Sequence, residues 1–544
     1  MPGPTDLSEE SFPAVSFGYG FLFIMLGYLA LGAVAFVAFA YLIIKPIIYY
    51  FYDPKGLRKY PNYAFLSGFT DLRHCYLSAQ GFRSKDLCEA HKKTGEPILR
   101  IGPNSLSFGD VRAIKAIYGH NTKCVKDNNY VILAATHRHL FDVVDRADHT
   151  RKRRLLSAAF AIKNLENWEY KVAFTAQRLF KAFDQKCTLP LRGTIPDAAD
   201  VNLDFNHWIN LWTIEAINYI SLSAEMDLLD TGTDTVVAEK RDGTLYKGRY
   251  RHAQNQSAKA QAVFVWDYKL WPWIEWLSKT IPSKYKKIWE DGAASEDIYY
   301  HLAAERLRRH QAGEKLNDFF SFMMEDKAGN PNNLEWGEIV AEIGAIINAG
   351  SDTTAIALTH VLELLIKHPQ HLKQLRREVD SVLEEDEVIA PYDKVKDLPF
   401  LRACIDEALR IIPPTSAGLP RRTPADGAQI LDEWIPGDTS VNMTAYAAHH
   451  DAKVFPNPDV YNPHRWLDVE ERKRMEPFFI PFSTGGRGCL GRNISYLEQI
   501  VVLASLVHRY EFALPSPDFE LQRTEAFNIV CGALPVKIWK RGIP

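Results

Sequence analysis

The stretch Phe482-Ser483-Thr484-Gly485-Gly486-Arg487-Gly488-Cys489-Leu490-Gly491 decides how this chain reads. It places one cysteine, Cys489, at the end of a glycine-rich turn and at the start of an apolar segment, residues 490–506, that reads as a helix. A sulfur there sits near the positive end of a helix dipole, which favours thiolate over thiol. Gly485, Gly486, Gly488 and Gly491 permit backbone angles and close approaches that a Cβ forbids, which suits a loop pressed against something broad and flat. Arg487 is a fixed cation for an anionic partner, and Phe482 can keep water off the sulfur. The competing reading is a structural cysteine in an ordinary Gly-rich turn.

Composition narrows the class. The chain has 544 residues, 47% hydrophobic and 24% charged, as in an ordinary globular protein. A formal net charge of −3 gives no electrostatic reason to expect nucleic acid. The seven cysteines are scattered with no Cys-x-x-Cys pair, which argues for reduced thiols facing the cytosol, not a disulfide framework or a zinc site.

Residues 17–44 carry no charge and are followed at once by Lys45-Pro46. About 20 apolar residues span a bilayer, so this segment is long enough. A cleaved signal peptide would have a basic n-region and an apolar core of about 7–15 residues. Here the leading residues carry Asp6, Glu9 and Glu10 instead, so the segment reads as an uncleaved anchor behind a short lumenal tail, residues 1–16. Lys45, Lys55, Arg58 and Lys59 follow it, so the positive-inside rule leaves the long C-terminal part in the cytoplasm. For a eukaryotic chain that predicts a single-pass anchor in the endoplasmic reticulum, with the sequons at Asn255, Asn442 and Asn493 unglycosylated. Pro46, Pro54 and Pro61 punctuate a short linker, residues 45–65, ahead of one large domain, residues 66–544.

Within that domain 3.6-period segments dominate. Short alternating stretches near residues 98–101, 428–435 and 536–539 predict a mainly α fold with small sheets. Residues 227–256 are polar and read as a surface excursion. Trp266, Trp271, Trp273 and Trp276 fall close together, as core aromatics or as a lid leaning on a bilayer. Residues 334–368 read as one long helix stopped at His368-Pro369, with Ala349-Gly350-Ser351-Asp352-Thr353-Thr354 weakening its interior.

The spacing in residues 482–491 fits the Phe-x-x-Gly-x-Arg-x-Cys-x-Gly signature, and the chain resembles the cytochromes P-450, the haem-thiolate monooxygenases. The resemblance covers nearly the whole chain and implies the cytochrome P-450 fold as a single large domain. Its cofactor is haem b, iron protoporphyrin IX, with Cys489 as the proximal metal ligand and the thiolate pushing electron density to favour O–O cleavage. Residues 349–354 resemble the family's oxygen-binding groove. There Gly350 leaves room for O2, Thr353 holds the water that delivers a proton, and Asp352 relays protons from solvent. His149 and Arg153, four residues apart in a basic run, match the helix that reaches the haem propionates. Arg421 matches another propionate position, although Arg422 can serve instead. Arg151, Lys152 and Arg154 remain for a basic surface that steers an acidic reductase. Glu407, Arg410 and Arg465, the last within Pro463-His464-Arg465-Trp466, match a Glu-Arg-Arg cluster that supports the cysteine loop; Trp466 stands where the family often has Phe.

The resemblance therefore implies insertion of one atom of O2 into a lipophilic small molecule, with electrons from NADPH through a separate NADPH–cytochrome P-450 reductase. Residues 415–419 and 527–533 match loops that touch substrate. The look is that of fungal members, many of which act in secondary metabolism. A reductase-independent haem-thiolate isomerase or dehydratase, oxidative phenol coupling or ring closure, and a haem binder without catalysis are the alternatives.

Overall fold

The structure is a computed structural model that describes residues 16–133, 137–264, 268, 270–326 and 328–542. The tail ahead of residue 16 and Trp266 lie outside the described residues.

The N-terminal helix Ser16–Phe39 continues through a π-helical turn, Ala40–Ile44, into a second helix, Lys45–Tyr52. Pro46 does not end it, because it stands just after the π-helical turn, where the ladder of backbone bonds is already shifted. The described part, Met25–Tyr52, has mean hydropathy 2.2 and no buried residue, and qualifies by length and composition as a membrane span. The predicted linker is therefore partly helix, and its remainder is tied to the domain. Asp53 caps the turn at Leu57 through Oδ1 at 2.8 Å, and Lys55 Nζ donates to Asn104 Oδ1 at 2.8 Å. Arg100 N donates to Pro61 O at 2.8 Å.

The main core forms where the long helix Trp336–Lys367 lies against the helices Phe205–Leu222 and Arg492–Arg509. Ile343, Ile347, Leu358, Val361, Leu362 and Leu365 recur on one face of the long helix and are fully buried, so its apolar period becomes its packing face. A second apolar cluster fills the space beside a five-stranded sheet. The strands run Ile98–Gly102, Ser105–Phe108, Ser440–Asn442, Arg421–Arg422 and Val125–Lys126 in spatial order, with only the second and third parallel. Smaller sheets use Ala428–Ile430 with Glu433–Ile435, Arg523–Glu525 with Ile529–Cys531, and Tyr510–Ala513 with Pro535–Lys540 and Leu203–Asp204. The three alternating stretches are thus strands.

Residues 227–256 depart from expectation. They hold a short helix, a hairpin (Thr235–Glu239 with Leu245–Arg249) and the first turns of the helix Tyr250–Phe264. Ala238 and Tyr250 are buried in the main core, so the segment is not merely a surface excursion. Its strands are polar on one side because only alternate residues turn inward. The tryptophans also separate: Trp273 and Trp276, on the helix Trp271–Thr280, are 67% and 57% exposed, so for these two the core reading fails.

Candidate active site

Gly485 shapes the cysteine loop. Its φ is +69°, and a Cβ there would lie 2.1 Å from Tyr118 O. Of the four loop glycines it alone meets both demands. Gly486 faces open space, and the others have only ordinary or slightly tight neighbours. The loop closes on itself, with Cys489 N donating to Phe482 O at 2.9 Å, while the Phe482 ring packs on Tyr496 at 5.1 Å. Gly491 then caps the helix Arg492–Arg509. Cys489 is a free, exposed cysteine. Although its own surface is accessible, the surrounding protein pushes the thiol pKa up. The Gly491 and Arg492 amides and the charges of Arg153 and Arg492 pull it down. The helix terminus assists the thiolate but does not outweigh desolvation, which a coordinated metal cation would do outright.

Beside the loop, cations converge from four segments. His149 and Arg153 lie on the helix Arg146–Ser157, and Arg153 Nη1 donates to Gly488 O at 2.9 Å. Arg421 pairs in strand register with Lys126, and Arg487 comes from the loop itself. Burial and mutual repulsion lower Arg487 to about 10, Lys126 to about 6 and His149 to about 3. Among the described residues none of Lys126, Arg153, Arg421 and Arg487 pairs with a carboxylate within 4.0 Å, and buried Arg487 Nη1 has no hydrogen-bond partner. Unpaired buried charge of one sign is costly, so the cluster fits a multiply anionic partner such as the two propionates of haem.

Arg422 does not share this role. It binds Asp127 at 3.0 Å and Asp438 at 2.9 Å, whereas Arg421 Nη1 donates only to neutral acceptors, the Tyr130 hydroxyl and the Leu419 and Pro420 carbonyls. Lys152 is likewise not a surface residue. It is buried and donates to Glu342 at 3.0 Å and to Arg138 O at 2.8 Å, while Arg151 is engaged by Asp148 and Glu338. Lysine on the inner face of a basic helix is neutralised by acids of the long helix, a pairing no local spacing announces. Arg146, Thr150, Arg151 and Arg154 line an open groove on the outer face.

In the long helix, Thr353 Oγ1 donates back to Ala349 O at 2.8 Å, and Ser351 does the same to Ile347 O at 2.8 Å. Thr354 joins Ser495 of the Arg492–Arg509 helix at 3.1 Å. The Asp352 carboxyl, raised by burial, accepts from Asn528 Nδ2 at 2.8 Å. Gly350 serves a different purpose from the one expected: a Cβ there would lie 2.7 Å from Ile217 Cδ1 and Cγ1, so its missing side chain admits the Phe205–Leu222 helix.

Glu407 is fully buried and accepts five hydrogen bonds. The donors are Arg410 Nε and Nη2 at 2.9 Å, Arg465 Nε at 3.0 Å, Asn462 N at 3.0 Å and the Trp466 indole at 2.9 Å. Trp466 is therefore a participant, not a mild aromatic replacement, since phenylalanine has no N–H. Arg410 Nη1 donates to His449 O at 2.9 Å, and His449 Nε2 accepts from Ile480 N at 2.9 Å, two residues before the cysteine loop begins. Burial and Arg410 hold His449 well below the usual range, so it stays neutral and free to accept.

A small cavity is lined by Ala417 and Gly418 from one expected substrate loop and Phe527 from the other. Arg83 and Glu525 also face it, so its wall is not purely apolar. Sequence reasoning missed Lys126, His449, Asn528 and these two charges. All act through contacts between remote segments.

A family model described as Cytochrome P450 matches residues 76–538. A benzoate 4-monooxygenase of Aspergillus niger is 29% identical over 461 residues, covering 82% of this chain and 86% of that protein. The cytochrome P450 monooxygenase cicH of Emericella nidulans is also 29% identical, over 87% and 92% of the two chains. A tryprostatin B 6-hydroxylase of Neosartorya fischeri is 25% identical over 84% and 77%. Among solved structures, the haem domain of cytochrome P450DA superposes with a TM-score of 0.69 at 18% identity, covering 86% of this chain and 95% of that one. Monooxygenase activity and haem b as cofactor come with this membership. The accessible sulfur, the uncompensated cations around it and the matched residues thus agree, and the chain belongs to the cytochrome P450 family.

Proposed function

We propose that this monooxygenase oxidises a lipophilic small molecule of fungal secondary metabolism, most simply by hydroxylation, with electrons from NADPH delivered by a separate cytochrome P450 reductase. The observation that carries the site assignment is the exposed Cys489 sulfur beside the carboxylate-free guanidiniums of Arg153, Arg421 and Arg487. Haem held by a thiolate supplies the activation of O2 and the oxidising equivalent.

The chain's own residues do the rest. Cys489 is the donor. Arg421, Arg487, Arg153, Lys126 and neutral His149 would hold the propionates through N–H groups. Thr353 keeps its hydroxyl on the accessible side of the long helix, where it orients a water. Asp352 gives up and regains a proton. Glu407, Arg410, Arg465 and His449 hold the loop against movement. Aromatic substrates are favoured by the names of two relatives, a benzoate 4-monooxygenase and a tryprostatin B 6-hydroxylase, and by Phe527 in the cavity wall.

An anchor in the endoplasmic reticulum membrane, with the domain in the cytosol, is supported by the apolar helix Met25–Tyr52 and by Trp273 and Trp276, whose exposed rings suit a bilayer surface. The groove around Arg146, Arg151 and Arg154 suits an acidic reductase.

The test is Cys489→Ala in the full-length protein. Loss of the thiolate-type spectrum of the reduced, CO-bound protein is expected, and its retention would remove the ligand assignment. Turnover of a lipophilic panel without NADPH would instead favour the isomerase reading.

A further inference from the structure

Asp352 does not stand alone in the groove. Its Oδ2 accepts from Asn528 Nδ2 at 2.8 Å, and the other end of the same amide, Asn528 Oδ1, accepts from Thr415 Oγ1 at 2.7 Å. Backbone bonds hold the amide in place: Ala526 N donates to Asn528 O at 3.0 Å, and Ile529 N donates to Pro414 O at 2.9 Å. Thr415 and Asn528 belong to the two segments whose neighbours Ala417, Gly418, Ala526 and Phe527 line the cavity. One side chain therefore links both segments to the acid of the long helix.

The chemistry of that link is reversible. A carboxylate only accepts, so it takes the amide N–H while the amide oxygen takes the threonine O–H. A protonated carboxyl donates. It is satisfied by the same amide turned over, with the carbonyl accepting from Asp352 and the N–H donating to the Thr415 hydroxyl, which both gives and accepts. Serine or threonine at 415 and an amide at 528 can make both arrangements. An apolar side chain at either position can make neither.

The other groups facing Asp352 are Arg251 of the Tyr250–Phe264 helix, Tyr299 of the Ala294–Gln311 helix and Cys531 of the strand Ile529–Cys531. Among the described residues no ion pair within 4.0 Å joins Arg251 to Asp352, and Arg251 Nε is buried without a hydrogen-bond partner.

We infer that Asn528 and Thr415 are positioning residues that hold Asp352 in both of its protonation states, tying proton entry to the two segments that border the cavity. This rests on the proton-relay role of Asp352 proposed above. In each cycle one proton leaves Asp352 towards water at Thr353 and the amide turns, then one proton returns from solvent and the amide turns back. No electrons move. Asp352 carries the proton, and Asn528 and Thr415 act only through it.

The test is infrared titration of the full-length, haem-loaded, substrate-free protein, with the Asp352 carboxyl band identified by its absence in Asp352→Asn. Asn528→Leu is expected to raise the midpoint by about 1 pH unit, because the carboxylate loses a charge-assisted bond and the neutral acid only a weaker one. Thr415→Val, which does not touch Asp352, is expected to raise it in the same direction, and Thr415→Ser to restore it. Thr415→Val also serves if Asn528→Leu fails to fold. An unmoved midpoint in either apolar variant, or equal behaviour of Thr415→Val and Thr415→Ser, overturns the inference. The solvent isotope effect on NADPH consumption with added reductase separates the two claims. If Asp352→Asn leaves it unchanged while Asn528→Leu still moves the midpoint, the relay falls and the positioning stands. A changed isotope effect with an unmoved midpoint does the reverse.

Discussion

Replacing Glu407 with leucine removes one carboxylate and strands five donor groups on four residues at once. Arg410 and Arg465 lose their ion pair, and the Trp466 indole and Asn462 amide lose their acceptor, in a pocket where Glu407 and Arg410 are fully buried. Breaking a buried pair from one side costs about 3–5 kcal/mol, because the remaining charge keeps its desolvation penalty. With an unfolding entropy of ~2 cal/mol/K per residue, a domain of ~450 residues loses about 1 °C of Tm per kcal/mol, so a fall of about 3–5 °C is expected. Trp466→Phe removes only one charge-assisted bond, about 1.5–3 kcal/mol, and should fall correspondingly less. The double variant Glu407→Leu with Arg410→Leu should recover part of the loss, since the stranded guanidinium goes with its partner. The assay is scanning calorimetry of the full-length protein in detergent, with the CO spectrum reporting the cysteine loop through the Arg410–His449–Ile480 connection. A Glu407→Leu protein with unchanged Tm, or a double variant worse than the sum of its singles, would refute the reasoning.

Two further outcomes follow from the cation cluster. Arg421→Leu should weaken haem retention on dilution and lower the apoprotein's Tm by less than Arg422→Leu, because it strands neutral acceptors and no carboxylate. Arg422→Leu should lower Tm more, because it strands buried Asp127; the reverse pattern would exchange their roles. Haem-free protein should gain stability as pH rises from about 6 to the ordinary lysine range, because there Lys126 is neutral when folded and protonated when unfolded. Denaturant midpoints across that window should show the slope in the wild type, at most about 1.4 kcal/mol per pH unit, and should flatten in Lys126→Met.

The features legible in the chain were those written locally. Residues 482–491 form a loop whose shape depends on a left-handed Gly485 and whose cysteine opens a helix. The long helix announces itself through an apolar period that becomes its buried face, and Glu407 and Arg410 are one turn apart and do meet. Helical spacing, a φ that only glycine adopts readily, and a proline stop act within a few residues, so sequence carries them. Other properties needed the packed molecule. Arg421 and Arg422 are adjacent and chemically identical, and only the arrival of Asp127 and Asp438 at one of them leaves the other without a carboxylate partner. Lys152 reads as surface until the long helix brings Glu338 and Glu342 against it. Gly350 reads as space for a ligand until Ile217 fills that space, and Asn528 reads only as part of a substrate loop until Asp352 and Thr415 bracket its amide. Each depends on side chains tens to hundreds of positions apart reaching one point, and charge, burial and hydrogen-bond partnership at that point are set by the converging segments together.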